Sequence, residues 1–190
     1  MVIANPKSDN RNMQRLMRYV NDIKIGGILF HKGDPVTQAE VTNRLQKASR
    51  IPMLVSLDGE WGLSMRLSGT TRFPKNMMLG AIEDNGKEVG RQCREMGIHI
   101  NFAPDMDVNS NVDNPVIGLR SFGENPEAVA EKGIAYARGL ESTGILSVSK
   151  HFPGHGDTSE DSHETLPVVR HNRARLDSVE LLPFKRYIYD

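Results

Sequence analysis

Two patterns alternate along the chain. Continuous apolar runs occur at residues 1–4, 25–30, 52–57, 98–103 and 145–149. Runs of that length without polar alternation read as strands buried on both faces. Between them, apolar residues recur at helical spacing: Met13, Leu16, Met17 and Val20; Val41, Leu45 and Ala48; Val89, Cys93 and Met96; Val129, Gly133, Tyr136 and Leu140. Thr37-Gln-Ala-Glu40 reads as a capping box that opens the second helix. Gly97 is placed to end the third. Pro126, after Asn125, suits the first turn of the fourth, which Gly144 ends. Residues 177–188 read as one more helix with Pro183 as an irregularity.

Strand and helix thus alternate about five times, which implies parallel strands joined by right-handed crossovers. A doubly wound sheet and a (β/α)8 barrel both fit. Gly26-Gly27 opens a strand instead of following one, so it is no dinucleotide-binding turn, and no phosphate-loop motif is present. Polar residues follow four of the apolar runs directly: His31 and Lys32, Asp58 and Glu60, Asp105 and Asp107, Lys150 and His151. In a barrel these positions share the face that carries active sites.

Composition narrows the field. The 190 residues carry 24 basic and 24 acidic side chains, so the net charge is zero. Neither a nucleic-acid partner nor an anionic membrane surface is indicated. The 38% hydrophobic content is that of a globular chain, and no apolar run is long enough to span a membrane. The single cysteine, Cys93, is expected in the core. No signal-peptide pattern opens the chain, so any targeting signal is absent or was removed, and the compartment is left open.

The chemistry concentrates in residues 150–163, which hold three of the six histidines with Asp157, Glu160 and Asp161. Zinc ligation by His151, His155 and His163 is one reading. Pro153 and Gly154 prevent a helix from presenting the first two together, and no metal or other cofactor is expected. An acid/base dyad is another: Asp161 and His163 are two apart, so an extended segment turns both the same way, and a carboxylate raises imidazole basicity. Glycines around them suit a loop that reaches over a substrate.

Lys150-His-Phe-Pro-Gly-His-Gly-Asp-Thr158 followed by Asp161-Ser-His163 closely resembles the signature of glycoside hydrolase family 3, in its β-N-acetylglucosaminidase (β-hexosaminidase) branch. Asn101-Phe-Ala-Pro-Asp-Met-Asp-Val108, Gly118-Leu-Arg-Ser-Phe-Gly123 and Leu57-Asp-Gly-Glu-Trp-Gly62 resemble further family segments in the right order, with Trp61 where glycine is common. The resemblance implies a TIM-type barrel, here a partial one of about five βα units. It implies retaining removal of a terminal β-linked N-acetylglucosamine from peptidoglycan fragments or related glycans. His163 would be the general acid/base and Asp161 its partner. Asp58, Arg66, Arg120, Lys150 and His151 would hold the sugar. His155 is assigned to bracing the loop, and His31, His99 and His171 to structure or surface.

The family's nucleophile is an aspartate on a later strand, beyond residue 190. Asp105 and Asp107 are therefore assigned to holding the loop near Arg120. The expectation is that residues 1–190 form the N-terminal portion of the catalytic barrel, are inactive alone and self-associate through uncovered partial-barrel surfaces. A family 3 β-glucosidase, a non-catalytic sugar-binding fragment and a metal-dependent hydrolase are the alternatives.

Overall fold

A computed structural model describes residues 2–4, 10–158, 169 and 171–190. Five strands, β1 (Val2–Ala4), β2 (Gly27–Phe30), β3 (Leu54–Leu57), β4 (Ile100–Asn101) and β5 (Leu146–Ser147), form one parallel sheet in the order β1-β2-β3-β4-β5. Each strand pairs with its sequence neighbour, so the order never reverses. A doubly wound sheet must reverse at a switch point. Sequential order belongs to a barrel wall, and the chain is a partial (β/α)8 barrel.

The helices follow as α1 (Asn10–Arg18), α2 (Pro35–Ala48), α3 (Ile82–Glu95), α4 (Pro126–Glu141), α5 (Arg173–Ser178) and α6 (Leu182–Tyr189). Asn125 caps α4 by accepting from Ala128 N, with Pro126 in the first turn. Gly97 adopts φ +68° just past α3, a region costly for residues with a Cβ. Two boundaries differ from expectation. Asp34, not Thr37, caps α2, its Oδ1 accepting from Thr37 N at 2.9 Å. Pro35 has a fixed φ and no N–H to lose, so it starts the helix two residues before Thr37. The last helix is two: α5 begins at Arg173 under an Asn172 cap, and Pro183 stands in the first turn of α6. A proline there removes no helical hydrogen bond.

Ile28, Phe30, Val55 and Leu57 on the sheet join Val41, Leu45, Val89, Cys93 and Leu140 of the helices in one core. Cys93 is fully buried, and burial pushes its thiol up to about 12. Helices α3 and α4 touch backbone to backbone: a Cβ on Gly86 would lie 2.3 Å from the Tyr136 carbonyl oxygen, and one on Gly139 2.1 Å from that of Glu83. The opposite sheet face is bare in part. Ser56, Ile100 and Leu146 share it by register, and Leu54 by alternation. Leu54 is 47% exposed and Leu146 58%. No described helix is long and apolar enough to cross a membrane.

Candidate active site

The charged residues after β3, β4 and β5 meet at the C-terminal end of the sheet. Parallel pairing continues past the strands as an Asp105–Lys150 bridge, with Met106 N donating to Lys150 O at 2.6 Å. This sets Lys150 and His151 beside Asp105 and Asp107. The turn after β3 is held from β4: the buried Asn101 amide accepts from Gly59 N at 2.9 Å and donates to Gly59 O at 3.1 Å. Asp58 and Glu60 are thereby aimed from either side of Gly59. Gly62 has φ +90° and its Cα lies against the Phe73 ring, where a Cβ would come within 2.7 Å. That packing turns the chain into a short 3-10 segment, Leu63–Met65, which delivers Arg66. The β2 end contributes through backbone, as Gly33 N donates to Arg66 O at 3.1 Å. Lys32 itself is exposed and His31 half-buried.

A single network runs through the site. Arg66 and Lys150 both pair with the Asp58 carboxylate, and Arg66 Nε donates to Asp58 O at 3.0 Å. Lys150 Nζ also lies 2.7 Å from Glu60 Oε1. Arg120 grips Glu60 with two bonds, Nη2 to Oε1 at 2.6 Å and Nε to Oε2 at 2.9 Å. This bidentate geometry is the strongest form of the pair. Arg120 Nη2 reaches His151 Nε2 at 3.2 Å, and His151 Nδ1 meets Asp107 Oδ2 at 2.6 Å. Arginine can only donate, so in this contact Nε2 is the acceptor and Nδ1 faces the Asp107 carboxylate. Asp107 Oδ1 also accepts from His155 N at 2.6 Å.

Exposure divides these residues into two groups. The side chains of Glu60, Asp105 and Asp107 are 0% exposed. Those of Lys150, Arg66, Arg120, Asp58 and His151 keep between 14% and 34%. The structure thus brings together all five residues assigned to the sugar, on a reachable rim over a sealed acidic floor. Asp161 and His163 lie outside the described residues. Sequence reasoning put Glu60 at a strand end on the active-site face but gave it no role, and it assigned none to Asn101, whose amide partner Gly59 lies 42 residues away.

Burial alone would raise the Asp58 carboxyl, but Lys150 and Arg66 outweigh it and hold the group below its ordinary range. Glu60 behaves likewise, its burial offset by Arg120 and Lys150. Asp105 goes the other way. Burial and the neighbouring Asp107 and Glu60 charges push it well above 3.8, against a weaker pull from Arg120. Asp105, Asp107 and His151 offer three donor atoms within 4.8 Å of one another. The Arg120 guanidinium, 3.6 Å from Asp105 Oδ2, already supplies positive charge there, so the cluster is a poor fit to a metal ion. His155 braces the loop as expected, with its Nδ1 on Thr158 and its carbonyl accepting from Asn114 Nδ2 at 2.7 Å. His99 is structural, accepting from Val55 N at 3.0 Å.

A raised folded pKa means that the native state binds the proton more tightly. Asp105 therefore adds stability that is full below about 3.8 and is lost as pH rises through the folded value. Asp105→Asn keeps the acceptor for Asp107 N and removes the titration. The variant should gain on the parent with rising pH, by at most about 1.4 kcal/mol per pH unit. Urea midpoints from pH 4.5 to 8 measure this, and parallel curves for the two proteins would rule it out.

The profile of the Glycosyl hydrolase family 3 N terminal domain matches residues 3–190. Beta-hexosaminidase A of Pseudoalteromonas piscicida is 38% identical over 192 residues, covering 91% of this chain and 32% of that protein. A beta-hexosaminidase of Neisseria meningitidis serogroup C is 35% identical over 188 residues, covering 90% and 51%. The chain thus spans about half or less of the length of these relatives. Among solved structures, a glycoside hydrolase family 3 beta-N-acetylglucosaminidase from Paenibacillus sp. str. FPU-7 superposes with a TM-score of 0.89 at 38% identity, over 100% of this chain and 38% of that one. NagZ from Neisseria gonorrhoeae, in complex with N-trifluoroacetyl-D-glucosamine, gives 0.83 at 30% identity, over 98% and 59%.

Proposed function

Because the chain belongs to glycosyl hydrolase family 3, we propose that it contributes the sugar-binding rim and the acid/base segment of a retaining exo-β-N-acetylglucosaminidase. The observation that carries this reading is the ion pairing of the rim and floor. Arg66 and Lys150 are held on Asp58, and Lys150 and Arg120 on Glu60. Paired charges that present many fixed donors and acceptors suit an uncharged, hydroxyl-rich ring. The partly exposed edges of Asp58, Arg66, Lys150, Arg120 and His151 bind hydroxyl and acetamido groups; the buried acids hold those edges still.

His163 donates the proton to the leaving oxygen and then activates water, with Asp161 orienting it and raising its basicity. Imidazole is neutral after giving up its proton, so it does not repel an anionic substrate or intermediate as a carboxylate would. The covalent nucleophile is an aspartate outside residues 1–190. The substrate class is N-acetylglucosamine-terminated glycans, peptidoglycan fragments among them.

The test is an assay of the protein at its full natural length with aryl N-acetyl-β-glucosaminide and aryl β-glucoside side by side. Turnover of the first is expected. Preference for the glucoside would favour a β-glucosidase, and binding of N-acetylglucosamine with no turnover of either would favour a sugar-binding module. The 190-residue chain by itself is expected to associate through the Leu54–Leu146 face. Light scattering that gives a monomer would argue against that.

A further inference from the structure

Strand β3 is gripped at both ends by a side-chain amide. Before its first residue, Met53 N donates to Gln46 Oε1 at 2.9 Å and Gln46 Nε2 donates to Met53 O at 2.9 Å. Beyond its last, Asn101 treats Gly59 the same way, accepting from N at 2.9 Å and donating to O at 3.1 Å. A carboxamide carries both donor and acceptor, so it can replace a strand partner's peptide where regular pairing stops. The two clamps share their chemistry and differ in their neighbours. Gln46 holds the end of β3 away from the site. Asn101 holds the residue between Asp58 and Glu60.

Glycine has the widest choice of backbone angles, so a free Gly59 would let both carboxylates swing. Its N–H belongs to the peptide plane after Asp58, and its carbonyl to the plane before Glu60. With both groups bonded to one amide, both planes are set. Asn101 is itself fixed: it is 0% exposed and ends β4 in register with Leu57. Both of its amide atoms bond Gly59. The two carboxylates in turn hold the cations of the rim, Arg66 and Lys150 on Asp58, Lys150 and Arg120 on Glu60. One buried amide thus stands behind Asp58, Arg66, Arg120 and Lys150, all but His151 of the residues assigned to the sugar.

We propose that Asn101 is a positioning residue for sugar recognition: by fixing Gly59 it aims Asp58, and so sets how strongly the site prefers a sugar hydroxyl over its absence. Asn101 touches no substrate. The proposal rests on the function proposed above, with Asp58 accepting from a hydroxyl. A site built to bond a hydroxyl rejects the analogue that lacks it. That preference is a ratio of two substrates on one protein, so it is independent of the folded fraction. A clamp that only stabilised the fold would leave it unmoved.

The experiment uses the protein at its full natural length and measures kcat/KM for a nitrophenyl N-acetyl-β-glucosaminide and its 3-deoxy, 4-deoxy and 6-deoxy analogues. The variants are Asn101→Ala, Asn101→Asp and Gln46→Ala. In the unmodified protein the analogue that lacks the hydroxyl held by Asp58 should be slower by about 10- to 150-fold, the worth of a hydrogen bond to a charged group. Asn101→Ala should cut that ratio by about tenfold, because a misplaced acceptor no longer tells the two substrates apart. Asn101→Asp keeps an acceptor for Gly59 N but sets a second oxygen against Gly59 O, and should give a similar cut. Gln46→Ala removes two bonds of the same kind, so it should lower the urea midpoint and leave every ratio unchanged. Unchanged ratios in both Asn101 variants, or the same cut in Gln46→Ala, would overturn the positioning role and leave the proposed function intact. An unmodified protein that hydrolyses none of the glycosides, or all of them alike, would sink both.

Discussion

Glu60→Ala is expected to destabilise the fold by about 3–5 kcal/mol, because it strands two cations in a mostly buried site. Arg120 loses both of its charge-assisted bonds and Lys150 one of its two carboxylate partners. Their side chains are only 17% and 14% exposed, so water replaces little of what is removed. Glu60→Gln keeps the shape and one acceptor, and should cost less. Asp105 offers a second signature. Its carboxyl is pushed well above 3.8 by burial and by the Asp107 and Glu60 charges, so removing Glu60 makes it easier to ionise and to compensate Arg120. Asp105→Asn should therefore cost more in the Glu60→Ala background than alone. Urea unfolding at neutral pH reads all three. A Glu60→Ala loss below about 1 kcal/mol would mean that the cations find solvent, as surface pairs do.

His163→Ala should lower turnover by about 10²–10⁴-fold, the ordinary worth of a positioned general acid/base. The protein at its full natural length is the one to assay. Substrate binding should change far less, because Asp58, Arg66, Arg120, Lys150 and His151 do not depend on the dyad for their contacts. Asp161→Ala should show a smaller loss of the same kind, since the imidazole remains but is less basic and less fixed. Turnover of His163→Ala within threefold of the parent would mean that the proton comes from another group.

How much of this was legible before the coordinates depends on distance along the chain. Strand cores and helix ends are set by neighbours in sequence. Asn125 and Pro126, or Met96 and Gly97, announce themselves. So did the residues at strand ends, since parallel strands must bring their C-terminal ends to one face. The errors were local contests between signals: Thr37-x-x-Glu40 matched one capping pattern, but Asp34-Pro35 was the stronger. Glu60 was placed at a strand end but given no role, because its partner Arg120 lies sixty residues later. His171 pairs with Asp157, as a structural or surface residue would, and nothing near it in sequence points to that partner. The rule that polar strand ends converge also reached too far at β2, where Lys32 faces solvent and the contribution is made by the backbone of Gly33.

The unbroken order β1-β2-β3-β4-β5 has a consequence for synthesis. Chains leave the ribosome at roughly 5–20 residues per second, far more slowly than a helix or a short strand can form. Because every strand pairs with the one made just before it, each emerging βα unit finds its docking edge already present and waits for nothing still inside the exit tunnel. The wall grows in one direction, with β5 as its advancing edge. The rim proposed to hold the sugar takes shape only when Lys150 emerges to meet Asp58 and Glu60, so during translation the site is assembled late, on a scaffold already in place.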